Sequence, residues 1–362
     1  MDSPGQLRVG LLGYGLAGAA FHAPLIKAEP RTRLEAVVTG SAQRAEQVRQ
    51  DHPDARVHAR AEQLFENADE LDLVVVATPN SSHAELASRA IEAGLPVVVD
   101  KPLTPTLEQA RELIVRARER GVLLTVFQNR RWDSDMLTLG EVLGSGELGG
   151  VHRFESRFER WVPTPKDSWR DSGGPEEAAG VLYDLGSHLI DQATYLFGGV
   201  DSVYAEMKTL RSGVAADDDA FVALEHSGGV ISHLWTGKLA AQYGPRFRVL
   251  GDRGAFTKYG TDPQEAALRA GGLPGDPGWG VESEETRAVV GVGSEARSRP
   301  SEPGRYQDFY AGVASALESG TAAPVAAEDA ARGLAIIEAA RRSARNRSVE
   351  APVDPGVSGA EA

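Results

Sequence analysis

The 362-residue chain contains no cysteine, which excludes disulfides, thiolate metal sites and cysteine nucleophiles. It has no apolar run of about 18 residues, so no membrane span is expected. The N-terminus, Met-Asp-Ser-Pro-Gly-Gln, lacks a basic region followed by an apolar core, so a secretory signal is not expected either. A cytoplasmic protein is the simple expectation. No basic block offsets the net charge of −14, which argues against nucleic acid as a partner. There is no internal repeat. What remains is an ordinary globular composition, 41% hydrophobic and 25% charged, long enough for two domains.

Within that composition, residues 7–18 stand out. Leu7–Leu12 reads as an apolar strand that runs into a turn with Gly13, Gly15 and Gly18 in G-x-G-x-x-G spacing, and a helix is expected from Leu16. Such a turn suits a pyrophosphate. The first glycine bends the chain, the second admits the phosphates, the third lets the helix pack close, and the helix N-terminus offers N–H groups. Further apolar runs follow at Leu34–Val38, Leu73–Ala77, Val97–Val99 and Leu123–Phe127. Helical patterns lie between them at Ala42–Asp51, Ser82–Ala93 and Leu107–Glu119. This alternation predicts a doubly wound parallel sheet, a Rossmann dinucleotide-binding domain over residues 1–126. From 127 to 349 the strand-like runs alternate polar and apolar residues. They predict an open, mainly antiparallel sheet with helices, including terminal ones. Asp262–Pro303 reads as long loops, and residues 350–362 as a disordered tail.

Candidate functional residues gather at predicted strand ends. Thr78-Pro79-Asn80, with His83 beyond, should face the cofactor, although a plain strand-to-helix turn capped by Asn80 or Ser81 explains the same residues. His83 then falls on a helix surface. Lys101, followed by Pro102, ends a buried strand, where its ammonium needs an anionic or wet partner. Asp184 and His188 are four apart on an expected helix. The carboxylate could orient the imidazole and raise its proton affinity, as in a general base, or the two could form a surface pair. Asp191 competes as partner to His188. Asn129-Arg130-Arg131-Trp132-Asp133 reads as a junction, with Asp133 capping the next helix. Trp161 and Trp169 flank a polar loop and, with Arg131 and Trp132, could line a sugar-like substrate, although the two tryptophans could equally be hydrophobic pegs holding that loop. Asp217-Asp218-Asp219 reads as a solvated loop and not as a metal site, since neighbouring strand residues face opposite ways.

Together these motifs resemble the Gfo/Idh/MocA oxidoreductases. The resemblance rests on Gly13-Tyr14-Gly15-Leu16-Ala17-Gly18, Thr78-Pro79-Asn80, Asp100-Lys101-Pro102 and Asp184-Leu185-Gly186-Ser187-His188. Phe21-His22-Ala23-Pro24-Leu25-Ile26, Phe127 to Asp133 and Asp262-Pro263-Gln264-Glu265 point to the subgroup that holds NADP-dependent scyllo-inositol dehydrogenases. The resemblance implies a catalytic trio of Lys101, Asp184 and His188. It also implies a homodimer or homotetramer built on the open sheet face, and often a cis bond before Pro102. Where many members have glutamate before the lysine, this chain has Asp100.

Cofactor choice follows from an absence. An NAD site usually places a carboxylate about 20 residues past the glycines. Here the second strand ends Val37-Val38-Thr39-Gly40-Ser41, with Arg44 following. Thr39, Ser41 and Arg44 suit a 2′-phosphate, so NADP(H) is favoured over NAD(H), although Arg44 also reads as a surface residue. The expected function is an NADP-dependent dehydrogenase acting on a cyclic polyol or sugar, or its ketone. Two alternatives are a glycosidase using transient oxidation and a non-catalytic dinucleotide sensor.

Overall fold

A computed structural model describes residues 5–165 and 169–357. Its first sheet is wholly parallel, with strand order β3-β2-β1-β4-β5-β6. The strands are β1 Leu7–Leu12, β2 Thr32–Val38, β3 Arg56–His58, β4 Leu73–Val76, β5 Val97–Asp100 and β6 Leu124–Phe127. Strands β4 and β6 are buried along their whole length, because helices cover both faces. The helices are α1 Ala23–Ala28, α2 Ala42–Asp51, α3 Ala61–Phe65, α4 His83–Glu92 and α5 Leu107–Arg120. Helix α2 begins where Ser41 Oγ accepts the Arg44 N–H, and α5 where Thr106 Oγ1 accepts that of Gln109. Gly121, at φ +65°, stops α5. The strand order reverses between β1 and β4, so the crevice at their carboxyl ends is where such a sheet binds ligands. Strand β3 escaped the apolar pattern because its three residues, Arg-Val-His, lie at a half-exposed edge.

Helix α6 (Ser134–Gly144) leads to the second sheet. Its strands are β7 Val151–Glu159, β8 Val200–Lys208, β9 Asp219–His226, β10 Ile231–Gly237, β11 Phe247–Gly251, β12 Ala255–Lys258, β13 Ala288–Gly291 and β14 Arg297–Arg299. They lie in the order β14-β13-β12-β11-β7-β10-β9-β8, and every neighbouring pair is antiparallel except β7 with β10. The remaining helices are α7 Trp169–Ser172, α8 Ser187–Phe197, α9 Gln264–Arg269, α10 Gln307–Ser319 and α11 Ala327–Asn346. Burial alternates along β9 and β10. The inner face packs on α8, with Phe154 5.3 Å from Phe197. The other face carries the half-buried cluster of Phe221, His233 and Trp235, with Arg157 3.9 Å over the Trp235 ring.

Two expectations are corrected. Residues 262–303 are not merely loops: α9, β13 and β14 lie within them, and the two strands extend the sheet. The segment 350–357 is not a free tail. Glu350 bridges to Val203, Arg111 Nε donates to Pro355 O at 2.6 Å, and Val357 is buried. Residues 358–362 lie outside the described residues. The last helix joins both sheets. Glu338 accepts the Leu107 N–H of α5, and Ser343 Oγ accepts the Ala205 N–H of β8.

Candidate active site

The glycine turn has the expected close contacts. Gly13 has φ +98°, and a Cβ there would lie 2.5 Å from Ala77 O. A Cβ on Gly18 would lie 2.1 Å from Gly13 O, so helix and turn touch backbone to backbone. Gly15 differs, because the only heavy atom near its added Cβ would be Arg44 Nη1, at 3.8 Å. The second glycine therefore faces open space with a guanidinium beside it. Arg44 is exposed and has no ion pair among the described residues. Thr39 is buried under Ser41, whose Oγ is spent on capping α2. Tyr14 is turned inward, with its hydroxyl 3.3 Å from Asp51, so only its backbone is left to face a nucleotide. The helix from Leu16 passes after Ala17 into a π-helical segment, Gly18–His22. Leu16, Ala17 and Phe21 form one wall of a cleft.

That cleft, about 380 Å³, is lined by Lys101 and by His188 as well. Side chains 87 residues apart in sequence thus share one cavity at the carboxyl ends of β1 and β5. The Lys101–Pro102 peptide is cis. Lys101 Nζ donates to Asp184 O at 2.6 Å and to Asp184 Oδ1 at 3.2 Å. An ammonium has three N–H groups, so one is left for a ligand. Asp184 sits in a second π-helical segment, Leu182–Gly186, that runs into α8.

The expected pairing of Asp184 with His188 is not made. Asp184 holds Lys101, and His188 Nδ1 has no hydrogen-bond partner among the described residues. The wider π turn replaces the i,i+4 spacing of a regular helix, so the sequence offset no longer sets the contact. Proton affinity moves opposite to expectation too. Burial first, then the positive charges of Lys101, Arg130, Arg246 and Arg160, hold His188 well below the usual histidine range. Asp191, the competing partner, instead takes Arg131 in a bidentate pair at 2.9 and 2.7 Å.

Other candidates also move. Arg131 is buried between Asp191 and Asp329 and does not line this cleft. Trp132 packs edge-on against Phe309, and its carbonyl accepts N–H groups of Arg305 and Gln264, so it is structural. Trp161 is half exposed, bridges to Leu239, and is not part of the cleft wall. The Trp169 side chain lies outside the described residues. His83 is completely buried, not on a helix surface. Its ring nitrogens lie 2.8 Å from Pro102 O and 3.0 Å from Thr78 O, tying together the loops after β4 and β5. Asn80 Nδ2 donates to Ala178 O and no side-chain cap forms there, while Thr78 Oγ1 accepts from Ser82 Oγ. Pro79 precedes a single 3₁₀ turn.

Asp133 caps nothing. It is buried and accepts the Tyr306 hydroxyl proton at 2.6 Å, while Asp262 accepts the Ser134 N–H that opens α6. Burial and the neighbouring carboxylates of Asp133 and Asp135 push Asp262 up to about 8. Asp218 is buried and Asp217 half-buried. Asp217 accepts the Leu182 N–H below the cleft, and Asp218 binds Arg211 at 2.9 Å. No cluster of potential metal ligands occurs among the described residues.

Several cleft residues carried no assignment from sequence. Asp100 accepts the Lys101 N–H. Arg130 is clamped by Glu265 at 2.5 Å and Asp133 at 3.3 Å. Asp171 joins Arg211 and Lys238 at 2.8 and 2.6 Å. Arg130 and Glu265 lie within segments already notable for family resemblance, which was a usable signal. Arg160 and Lys238 had none.

A reversing parallel sheet, a glycine turn with open space at its second glycine, and a lysine–histidine cleft beside it define a nicotinamide-dinucleotide oxidoreductase. The comparisons agree. Residues 7–128 match the oxidoreductase family model for the NAD-binding Rossmann fold, and 141–354 match its C-terminal alpha/beta domain, so the chain belongs to the Gfo/Idh/MocA oxidoreductase family. It is 42% identical to the oxidoreductase YdgJ of Escherichia coli over 95% of this chain and 98% of that one. It is 36% identical to the scyllo-inositol 2-dehydrogenase (NADP(+)) IolW of Bacillus subtilis over 94% of each. The structure of the oxidoreductase yvaA from Bacillus subtilis superposes with a TM-score of 0.91 at 35% identity, covering 97% of this chain and 99% of that one.

Proposed function

We propose that the protein is an NADP-dependent dehydrogenase that moves hydride between the nicotinamide and a CH–OH carbon of a cyclic polyol or sugar, or its ketone. The observation that carries this reading is the shared cleft of Lys101 and His188 beside the glycine turn. The relative IolW, named as an NADP(+)-dependent scyllo-inositol dehydrogenase, supports the cofactor and the substrate class. Gly13, Gly15 and Gly18 would admit the pyrophosphate, and Arg44 would take the 2′-phosphate, with Thr39 and Ser41 shaping the strand end under it.

When bound, the dinucleotide supplies the hydride acceptor or donor. In oxidation, His188 receives the hydroxyl proton. The surrounding burial and positive charge keep the ring neutral and therefore able to accept it. Lys101 donates its remaining N–H to the reacting oxygen and stabilises developing negative charge there. Asp184 holds the lysine in place and is a positioning residue. The face bearing Phe221, His233 and Trp235 would be covered by a second copy in a homodimer or homotetramer, in a cytoplasmic enzyme.

The decisive experiment is an absorbance screen at the nicotinamide band over inositols, hexoses and their keto forms, with NADP(H) and NAD(H). Turnover of a polyol is expected with the phosphorylated cofactor. Lys101→Ala should abolish it while cofactor titration still shows binding. Near-normal turnover by that variant would remove Lys101 from its role.

A further inference from the structure

The cleft does not end at His188. Arg130, Arg160, Glu265 and Arg269 line it on one side and a second cavity of about 650 Å³ on the other. Either volume alone falls in the range of about 300–1,000 Å³ seen for small-molecule sites, so one polyol ring does not account for both.

The second lobe is rich in arginine, in a chain whose net charge is −14. Most of those guanidinium groups are committed. Arg130 is held by Glu265 and Asp133, while Arg246 donates to Ser156 at 2.6 Å and to Gln192 at 2.8 Å. Arg160 is different. It directly follows β7, is exposed, and lies 5.2 Å over the Phe158 ring. It has no ion pair and no side-chain hydrogen bond among the described residues. Arg269, at the end of α9, shares Glu265 with Arg130 and leaves donors free at the rim.

The nearby acids do not cancel this charge. Glu265 is spoken for by two arginines, and Asp262 accepts the N–H groups of Ser134 and Gln264. Glu159 is half-buried, and burial opposes its ionisation. The exposed Tyr243 and Tyr259 frame the opening with hydroxyl-bearing rings, which suit a polar organic ligand. A planar fork left unpaired at such a place matches the oxygens of a carboxylate or a phosphate ester.

We propose that this lobe is a subsite for an anionic group on the substrate, a carboxylate or a phosphate ester attached to the polyol away from the reacting carbon, with Arg160 as its direct partner and Arg269 as the second. The inference rests on the dehydrogenase reading for where the reacting carbon lies.

The test uses the full chain saturated with NADPH, so that the sites for cofactor phosphates are filled. Inorganic phosphate and acetate are titrated calorimetrically into the wild type, Arg160→Ala and Arg160→Lys. In parallel, kcat/KM is measured for a neutral polyol, its phosphate monoester and the corresponding sugar acid. Arg160-dependent anion binding is expected, with an advantage of about tenfold or more for one charged substrate over the neutral one. That advantage should be lost through KM in Arg160→Ala and partly regained in Arg160→Lys. The arm that shows it identifies phosphate or carboxylate. Turnover of neutral polyols, with anions bound equally by wild type and Arg160→Ala or not at all, would overturn the subsite and leave the dehydrogenase standing. Arg160-dependent anion binding without turnover of any polyol would keep the subsite and sink the dehydrogenase reading.

Discussion

At the scale of single residues, the proposed site rests on donors that lack protein hydrogen-bond partners among the described residues. They are the Arg44 guanidinium beside Gly15, the third N–H of Lys101, and Arg160. Arg44→Ala is expected to weaken NADPH binding by about tenfold or more, the worth of a charge-assisted contact, and to weaken NADH binding less. Fluorescence titration with both cofactors checks this. His188 carries a second prediction. Its burial and four neighbouring cations favour the neutral ring, so the acid limb of the kcat/KM profile should fall below the ordinary histidine range, near 6.5. A limb at or above that range would show that His188 is not the group that must be deprotonated. Stability has the same sign. A group whose folded-state affinity for protons is depressed binds more of them when unfolded, so its contribution is present above about 6.5 and is lost as the pH falls.

The elements hold these residues by buried polar networks, and here the cost of a broken contact is large. Arg131→Met leaves Asp191 buried without its bidentate partner, between α8 and the turn before α6. A loss of about 3–5 kcal/mol is expected, read by denaturant melts. Asp262 behaves in the opposite sense to His188. Its folded-state value of about 8 lies above the ordinary carboxylate value, so the stability it allows is full below about 4 and lost as pH rises toward 8. Asp262→Asn should flatten the fall of Tm with pH across that window. These networks were hard to read in the chain. Asp133, next to a helix start, looks like a cap from its neighbours alone. Its real partner, Tyr306, comes from a helix start more than 170 residues away.

At the scale of the whole molecule, the second sheet presents Phe221, His233 and Trp235 on the face away from α8. If a second copy covers that face, Trp235→Glu should lower the mass measured by light scattering to that of a monomer while the circular dichroism spectrum is retained. The terminal helix α11 ties the two sheets through Glu338 and Ser343. The cleft between the sheets is thereby built on a braced frame.

The chain's own periodicities determined the architecture. Solid apolar runs can be satisfied only in a sheet covered on both sides, and alternating runs only in one that buries a single face. Ser41, Thr106 and Gly121 set helix ends through contacts a few residues long, and Gly13 and Gly18 are required where backbone meets backbone. Local physics of this kind is written in local sequence. Which carboxylate meets which cation is not. Asp184 turned to Lys101 because a π turn displaced it from His188, Asp191 found Arg131, and His83 went inside to join two loops. Those choices depend on the distances between groups remote in the chain and on the penalty of burying a charge unpaired, and both come into being only when the two sheets and the last helix close together.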